Sequence, residues 1–168
     1  EDPLPALSGQ YADYAAWQRR WLSGDVLHTQ SRYWQSTLAG APELLTLPTD
    51  RPRPRTQSFR GATRPARCGE ELVAALRRLG REEGATLFML LLAGWQALLG
   101  RLSRSDRLVV GSPTAGRNRV ELESLIGFFV NLLALPADLR GNPPFRELVR
   151  RTRATALDAF AGQDLPFE

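Results

Sequence analysis

The chain contains no lysine: all 22 of its basic residues are arginine, set against 18 acidic ones for a net charge of +4. In 168 residues it has one cysteine, one methionine and one histidine. A single cysteine, Cys68, forms no disulfide within the chain, which points to a reducing, cytoplasmic compartment, and it is expected to be a small core residue. The general base of an enzyme near neutral pH is most often histidine. The only one here, His28, sits beside polar Thr29 and Gln30 and reads as a surface residue. No Ser-His-Asp order, no metal-ligand spacing, no P-loop and no G-x-G-x-x-G opening a helix is present. The most apolar run, Leu87–Leu99, is broken by Gly94 and Gln96 and is too short to span a bilayer, so no membrane partner is expected. Arginines are interspersed with acids, as in Arg77-Arg78 before Arg81-Glu82-Glu83, which suits a solvated face and not a nucleic-acid surface. The opening EDPLPALSG is acidic and proline-rich, unlike a secretory signal.

What remains is close to one domain of ordinary globular composition. Leu108–Val110 and Phe128–Leu135 read as buried strands, short, apolar and punctuated by Gly, Pro or Asn. Between them lies a polar loop with Gly111, Pro113, Gly116 and Gly127. Held between core strands, such a loop is a natural place to present binding groups. Ser112 and Thr114 either line a pocket there or only satisfy nearby backbone groups.

Elsewhere the spacing predicts helices. Gln10–Leu22 carries Tyr11, Tyr14, Gln18 and Trp21 at helical intervals, with Trp17 alongside, and Gly24 is expected to stop it. A second helix runs through Leu38, anchored by Tyr33 and Trp34, and ends at Gly40 and Pro42. Leu47–Gly61, with three prolines and four arginines, reads as an extended connector or, as the alternative, a Pro/Arg-rich ligand for a partner's aromatic groove, and Ala62–Cys68 as an edge strand limited by Pro65. Glu70–Glu83 is amphipathic, with Leu72, Val73, Leu76 and Leu79 as its apolar stripe and Gly84 as its cap. Thr86 caps a helix through Leu102 that is apolar nearly all round, hence expected to be central and buried with Met89 and Trp95 in the core. Glu121–Leu125 reads as a short helical turn. The last helix spans about Pro144 to Ala161.

Several segments then resemble, in order, the condensation domains of nonribosomal peptide synthetases. Tyr11-Ala12-Asp13-Tyr14-Ala15-Ala16-Trp17-Gln18 is similar to the family's Y-x-D-[FY]-A-x-W-Q motif. Tyr33-Trp34, Leu47-Pro48-Thr49-Asp50-Arg51-Pro52-Arg53-Pro54, Gly84–Met89 and Val109–Arg117 follow. Ile126-Gly127-Phe128-Phe129-Val130-Asn131 is similar to I-G-x-F-V-N, and Gln163–Glu168 to the end of [HN]-Q-D-x-P-F-E, with Gly162 where His or Asn is usual. The resemblance implies an α/β fold: a chloramphenicol-acetyltransferase-like half-domain of the CoA-dependent acyltransferase superfamily, with a mixed sheet and flanking helices. Residues 1–61 would end the first half-domain and form the crossover, and 62–168 would make most of the second. The family's H-H-x-x-x-D-G motif, which carries the essential histidine, is absent, so the chain reads as an internal piece, inactive alone, with no catalytic residue of its own.

By the same resemblance, the parent forms an amide between a carrier-bound acyl or peptidyl donor and an aminoacyl acceptor. No cofactor is bound directly, because the substrates ride on the phosphopantetheine arms of carrier domains. Partners are those carriers, the adjacent adenylation domain and the missing N-terminal half-domain. Gly111, Ser112, Pro113, Thr114 and Asn131 would line the substrate tunnel, Asn131 either facing it or pinning a neighbouring strand through its amide. Tyr11, Asp13, Trp17, Arg117, Gly127 and Asp164 would be structural. The rival readings are an epimerising, heterocyclising or ester-forming relative, and a degenerate domain that recruits partner proteins.

Overall fold

The computed structural model describes Leu7 and residues 9–167, so most of the expected proline-rich opening loop, and Glu168, lie outside the described residues. Among the described residues five α-helices are formed: α1 Tyr11–Trp21, α2 Gly24–Leu38, α3 Glu70–Glu83, α4 Leu87–Ser103 and α5 Phe145–Ala161. Two strands, β1 Arg107–Thr114 and β2 Asn131–Asp138, pair in one small sheet, with a short 3-10 turn at Val120–Leu122 between them. Leu139 N donates to Asp106 O at 2.7 Å just outside both strands. The start of β1 therefore lies beside the end of β2, and the two run antiparallel.

The chain divides into two compact units that interleave in sequence. One comprises the residues up to Ala41, Val109–Pro136 and those from Ala156 onward; the other comprises Pro42–Leu108 and Ala137–Thr155. The expected division at 61/62 falls inside the second unit.

In the second unit, α3 and α4 form as their sequences predict. Gly84 takes φ +60 and its N–H closes on Gly80 O, ending α3 in the left-handed cap that glycine adopts most cheaply. The Thr86 hydroxyl accepts from Met89 N at 3.3 Å and starts α4. Leu90, Ala93, Leu148 and Val149 make the core, with Leu76, Leu79, Ala85, Ala97 and Leu139 against it. Burial of a side chain such as Leu90 contributes about 1.5–3 kcal/mol. Gln96, itself buried, accepts from the Thr152 hydroxyl at 2.9 Å, so this polar pair stands inside the apolar core with its bond made. On the surface, Arg150 Nε reaches Glu83 at 2.7 Å and Arg146 reaches Glu82 at 2.7 Å, tying α5 to the end of α3.

Several expectations are corrected here. Helix α4 is not buried all round: Met89, Leu90, Leu92, Ala93, Gln96 and Leu99 are inside, but Leu87, Phe88, Leu91, Leu98 and Leu102 are exposed and Trp95 is 52% exposed. Within this unit, α3 and the first turns of α5 supply the core against one side of α4 only. Leu72 is also exposed, so the α3 stripe narrows to Leu76 and Leu79 with half-buried Val73. Ala62–Cys68 forms no strand and Cys68 is exposed, not core. Pro65 withholds a ladder donor, and no pairing partner compensates among the described residues.

In the first unit, Gly24 opens α2 at φ +53 and does not close α1, which ends when Leu22 N bonds Gln18 O and the Ser23 hydroxyl bonds Arg20 O. Leu122, Leu125 and Phe129 form its apolar cluster with Tyr14 against it. Strand β2 begins at Asn131. Phe128, expected inside a buried strand, precedes it and is 76% exposed, while Leu133, Ala134 and Leu135 are buried. Strand β1 runs on through Gly111-Ser112-Pro113-Thr114, a stretch whose composition predicts a loop. No single described helix is long and apolar enough to cross a membrane; α3 and α4 reach that length only as a pair bent by 106°.

Candidate functional site

All the expected site residues fall in the first unit, and Asn131 is the one that joins most of its parts. Its Nδ2 donates to Gln163 O and to Leu165 O, both at 2.7 Å. Its Oδ1 accepts from Leu132 N at 2.9 Å and from Phe167 N at 3.2 Å. Two donors and two acceptor lone pairs are all the hydrogen-bonding capacity an asparagine amide has. The side chain therefore fastens the segment after α5 onto the start of β2.

That segment is held at further points. Leu165 N donates to Gln30 Oε1 at 2.9 Å, Thr114 Oγ1 to Gln163 Oε1 at 2.9 Å, Asn118 Nδ2 to Asp164 Oδ1 at 3.1 Å, and Trp34 Nε1 to Gly162 O at 3.0 Å. Side chains from α2, β1 and the loop after it thus converge on residues 162–165. Gln30, Trp34 and Asn118 have no local signal that foretells this use, since each is an ordinary polar or aromatic residue in its own segment. Gln163 stands inside the closing motif.

Tyr11, Asp13, Trp17, Arg117 and Gly127 build the other wall. Asp13 accepts from Gln10 N at 2.9 Å, half of a capping box that starts α1. The Tyr11 hydroxyl donates to Phe128 O at 2.9 Å, and its ring meets Phe129 edge-on with centroids 5.2 Å apart. A Cβ on Gly127 would land on the Tyr11 ring, so glycine there permits the close approach. Arg117 lies over the Phe129 ring at 4.2 Å and donates to Leu122 O. Arg119 lies over Trp17, which stacks on Trp21 at 5.4 Å. Cation–π contacts of this kind are worth about 0.5–1 kcal/mol where exposed.

A cavity of about 360 Å³ opens between these walls. Tyr11, Tyr14, Phe129, Asn131, Asp164 and Phe167 are among its lining residues. Burial, and secondarily the Asp164 carboxylate, push the Tyr14 phenol above its ordinary pKa, so it stays neutral and is no general base. Gly111, Ser112, Pro113 and Thr114 do not line this cavity. Ser112 is half-buried in β1, and Thr114 is committed to Gln163. His28 is exposed on α2. Among the described residues, no set of His, Cys, Asp and Glu is arranged to hold a metal ion. The site can bind and position: its side chains clasp distant segments around the cavity.

A family model described as a condensation domain matches residues 1–168. A linear gramicidin synthase polypeptide of Brevibacillus parabrevis is 59% identical over 165 residues, covering 98% of this chain and 2% of that protein. Malpinin synthetase of Mortierella alpina is 53% identical over 166 residues, 99% of this chain and 2% of its own length. Among solved structures, the X-domain from teicoplanin biosynthesis superposes with a TM-score of 0.90 at 30% identity, over 98% of this chain and 38% of that one. A four-domain nonribosomal peptide synthetase bound to AMP and glycine superposes with a TM-score of 0.87 at 28% identity, over 97% of this chain and 12% of that one.

Proposed function

Because the chain belongs to the condensation-domain family, we propose that it serves a peptide synthetase in forming an amide bond between a carrier-bound acyl or peptidyl donor and a carrier-bound aminoacyl acceptor. The observation that carries this reading is the Asn131 clasp. It joins residues 126–131 to residues 163–167, 32 or more residues apart at its bonds, into one wall with the Tyr11 motif packed against it. A wall of this kind contributes by holding two reactants in attack geometry, an effect worth up to roughly 7–11 kcal/mol of barrier. In our reading, Gly111, Ser112, Pro113 and Thr114 face the substrate tunnel of the complete domain, where the Ser112 hydroxyl stabilises charge as the acceptor amine attacks the donor thioester, the C–S bond breaks and the donor carrier's thiol leaves with the proton the amine gives up. The group that orients or deprotonates the amine lies on residues of the parent outside this chain, so the chain alone is inactive.

The chain spans only 2–3% of the gramicidin synthase polypeptides and malpinin synthetase. The surroundings are accordingly part of the proposal: residues 1–61 close a first half-domain, 62–168 belong to a second, and the parent works in the cytoplasm with carrier domains, their phosphopantetheine arms and an adenylation domain. A second reading is favoured by one likeness. The X-domain from teicoplanin biosynthesis, solved in complex with OxyB, superposes at a TM-score of 0.91 and 32% identity, so a domain of this shape that recruits a partner protein is the rival. The higher identity to the gramicidin synthase polypeptides supports catalysis. The test is to supply the parent's complete condensation domain with loaded donor and acceptor carriers and follow carrier-bound product by mass. Amide product with an intact H-H-x-x-x-D-G motif upstream is expected; no product, with that motif corrupted, overturns the reading in favour of recruitment.

A further inference from the structure

Six of the 22 arginines lie between residues 51 and 67, at Arg51, Arg53, Arg55, Arg60, Arg64 and Arg67, and no acidic residue falls between Asp50 and Glu70. The 16 arginines elsewhere are outnumbered by the 18 acids, so the net positive charge of the chain resides in this one segment. Every residue from 51 to 67 is exposed, and none is in a helix or strand. Several arginines elsewhere have work within the fold: Arg146 and Arg150 pair with Glu82 and Glu83, Arg151 with Glu147, Arg153 caps α3 through Gly84 O, and Arg117 and Arg119 cover aromatic rings. None of the six guanidiniums in the segment makes an ion pair or hydrogen bond among the described residues. Six like charges gathered on one segment repel one another unless anionic groups meet them.

We propose that residues 51–67 are a docking strap for an acidic protein face, that of a carrier domain delivering substrate, formed by arginines that the fold leaves unpaired on an extended, proline-stiffened connector. This names a partner surface for the amide-forming reading and rests on it. The geometry suits a carboxylate-bearing helix. Residues two apart in an extended chain are separated by about 6–7 Å, which sets the spacing of Arg51, Arg53 and Arg55 along the connector. Carboxylates on successive turns of one helix face recur every ~5.4 Å, so a row of cations at comparable spacing can meet a row of anions. Pro52 and Pro54 hold the backbone extended before contact, which lowers the ordering cost of binding. Phe59, 86% exposed at φ +54, offers one apolar anchor in the middle of the strap. A single aromatic does not provide the row of stacking platforms that single-stranded nucleic acid uses, nor the apolar face that an interfacial membrane segment inserts. An acidic protein surface is what the segment fits.

The experiment uses the parent's complete condensation domain with separately purified holo carrier domains as probes. Combining Arg51→Ser, Arg53→Ser and Arg55→Ser is expected to raise KM for the free carrier on the order of ten-fold at about 50 mM salt with kcat unchanged, an effect that disappears near ~0.5 M salt. The matching Arg→Lys triple keeps the charge and is expected to stay within about two-fold of the parent domain. An unchanged KM in the serine triple, or a lysine triple as impaired as the serine one, overturns the strap while leaving amide formation standing. Tighter binding of a thymidine oligomer or of phosphatidylserine vesicles than of either carrier overturns it in favour of those partners. Should the complete domain make no amide at all, the functional reading fails separately. The strap is then decided by anisotropy of labelled holo carrier on the complete domain, where loss of binding in the serine triple supports it and unchanged binding refutes it.

Discussion

Trp34 donates its indole N–H to the carbonyl of Gly162 at 3.0 Å, and a Cβ on Gly162 would stand 3.4 Å from that same nitrogen and 3.2 Å from Cδ1 of Tyr33. The two rings contact each other edge-on at 4.9 Å, so a side chain at 162 presses on both. The glycine that departs from the closing motif it resembles is thus fitted to the aromatic pair beneath it. Gly162→Asn, which restores a side chain usual in that motif, is expected to destabilise this chain by about 1–3 kcal/mol through overpacking. Urea unfolding of the two proteins checks it; an unchanged midpoint shows that the rings move aside freely.

Asn131→Ala removes two donors and two acceptors from the clasp and leaves Gln163 O, Leu165 O and Phe167 N to water; a loss of about 2 kcal/mol is expected because the site is only part-buried. Asn131→Asp is more informative. It sets a carboxylate against two carbonyl oxygens, so its folded-state pKa is expected above the unfolded value. The charged form is then penalised in the fold at neutral pH, and stability recovers as pH falls through that raised pKa and the carboxyl regains a donor. Melting temperatures at pH 7 and pH 5 test the sign: a variant whose deficit relative to the parent chain does not shrink on acidification contradicts the clasp.

Gly127 and Tyr11 are coupled by contact. Gly127→Ala places a methyl group on the Tyr11 ring and is expected to cost about 1–3 kcal/mol. In a Tyr11→Ala background the same change meets only the Phe129 ring, whose Cε2 lies 3.0 Å from the added Cβ, and costs less. A double-mutant cycle measures the difference; additivity within about 0.5 kcal/mol would mean the ring does not set the requirement for glycine.

In the second unit, the hydrogen bond from Arg150, joined by Arg146, holds the Glu83 carboxyl below the ordinary carboxylate range, and the Arg140 hydrogen bond does the same for Asp138. Groups whose folded pKa is depressed add stability that is fully present above their unfolded pKa and is lost as pH falls through the folded value. Thermal stability is therefore expected to be level from neutrality down to about pH 5 and to fall below it. Glu83→Gln should flatten part of that acid limb, and an acid limb identical in the variant shows that Glu83 contributes nothing to it.

The contrast between what local sequence revealed and what it hid has physical causes. Gly84, Thr86 and the apolar period of Glu70–Glu83 announce α3 and the start of α4 because caps and stripes are local. The exposure of Trp95 and Leu91 was hidden: apolar composition records what a helix could bury, not what covers it. The Gly111–Thr114 stretch has the composition of a loop, yet β1 continues through it, since pairing to β2 outweighs local preference. Phe128 sits in an apolar run, but the strand starts only at Asn131, where the amide captures a distant segment. Gln30 has no signal at all, since its partner, Leu165 N, lies 135 residues away.

Ser112 is half-buried in β1 and apart from the cavity around Asn131. If its hydroxyl faces the tunnel of the complete domain, Ser112→Ala in that domain should lower kcat/KM on the order of ten-fold, or about 1.4 kcal/mol. Steady-state condensation rates with several acceptor amino acids decide it, and equal rates with all of them would return Ser112 to a scaffold role.

The most direct measurement compares this 168-residue chain with the complete condensation domain of its parent, each given the same loaded donor and acceptor carriers, with the mass of the acceptor carrier read over time. A mass increase equal to the transferred acyl group less the hydrogen it replaces is predicted for the complete domain and none for the chain alone. Product from the chain alone at the rate of the complete domain would show that these residues already contain the proton-handling group, and would contradict the assignment of that group to the rest of the parent.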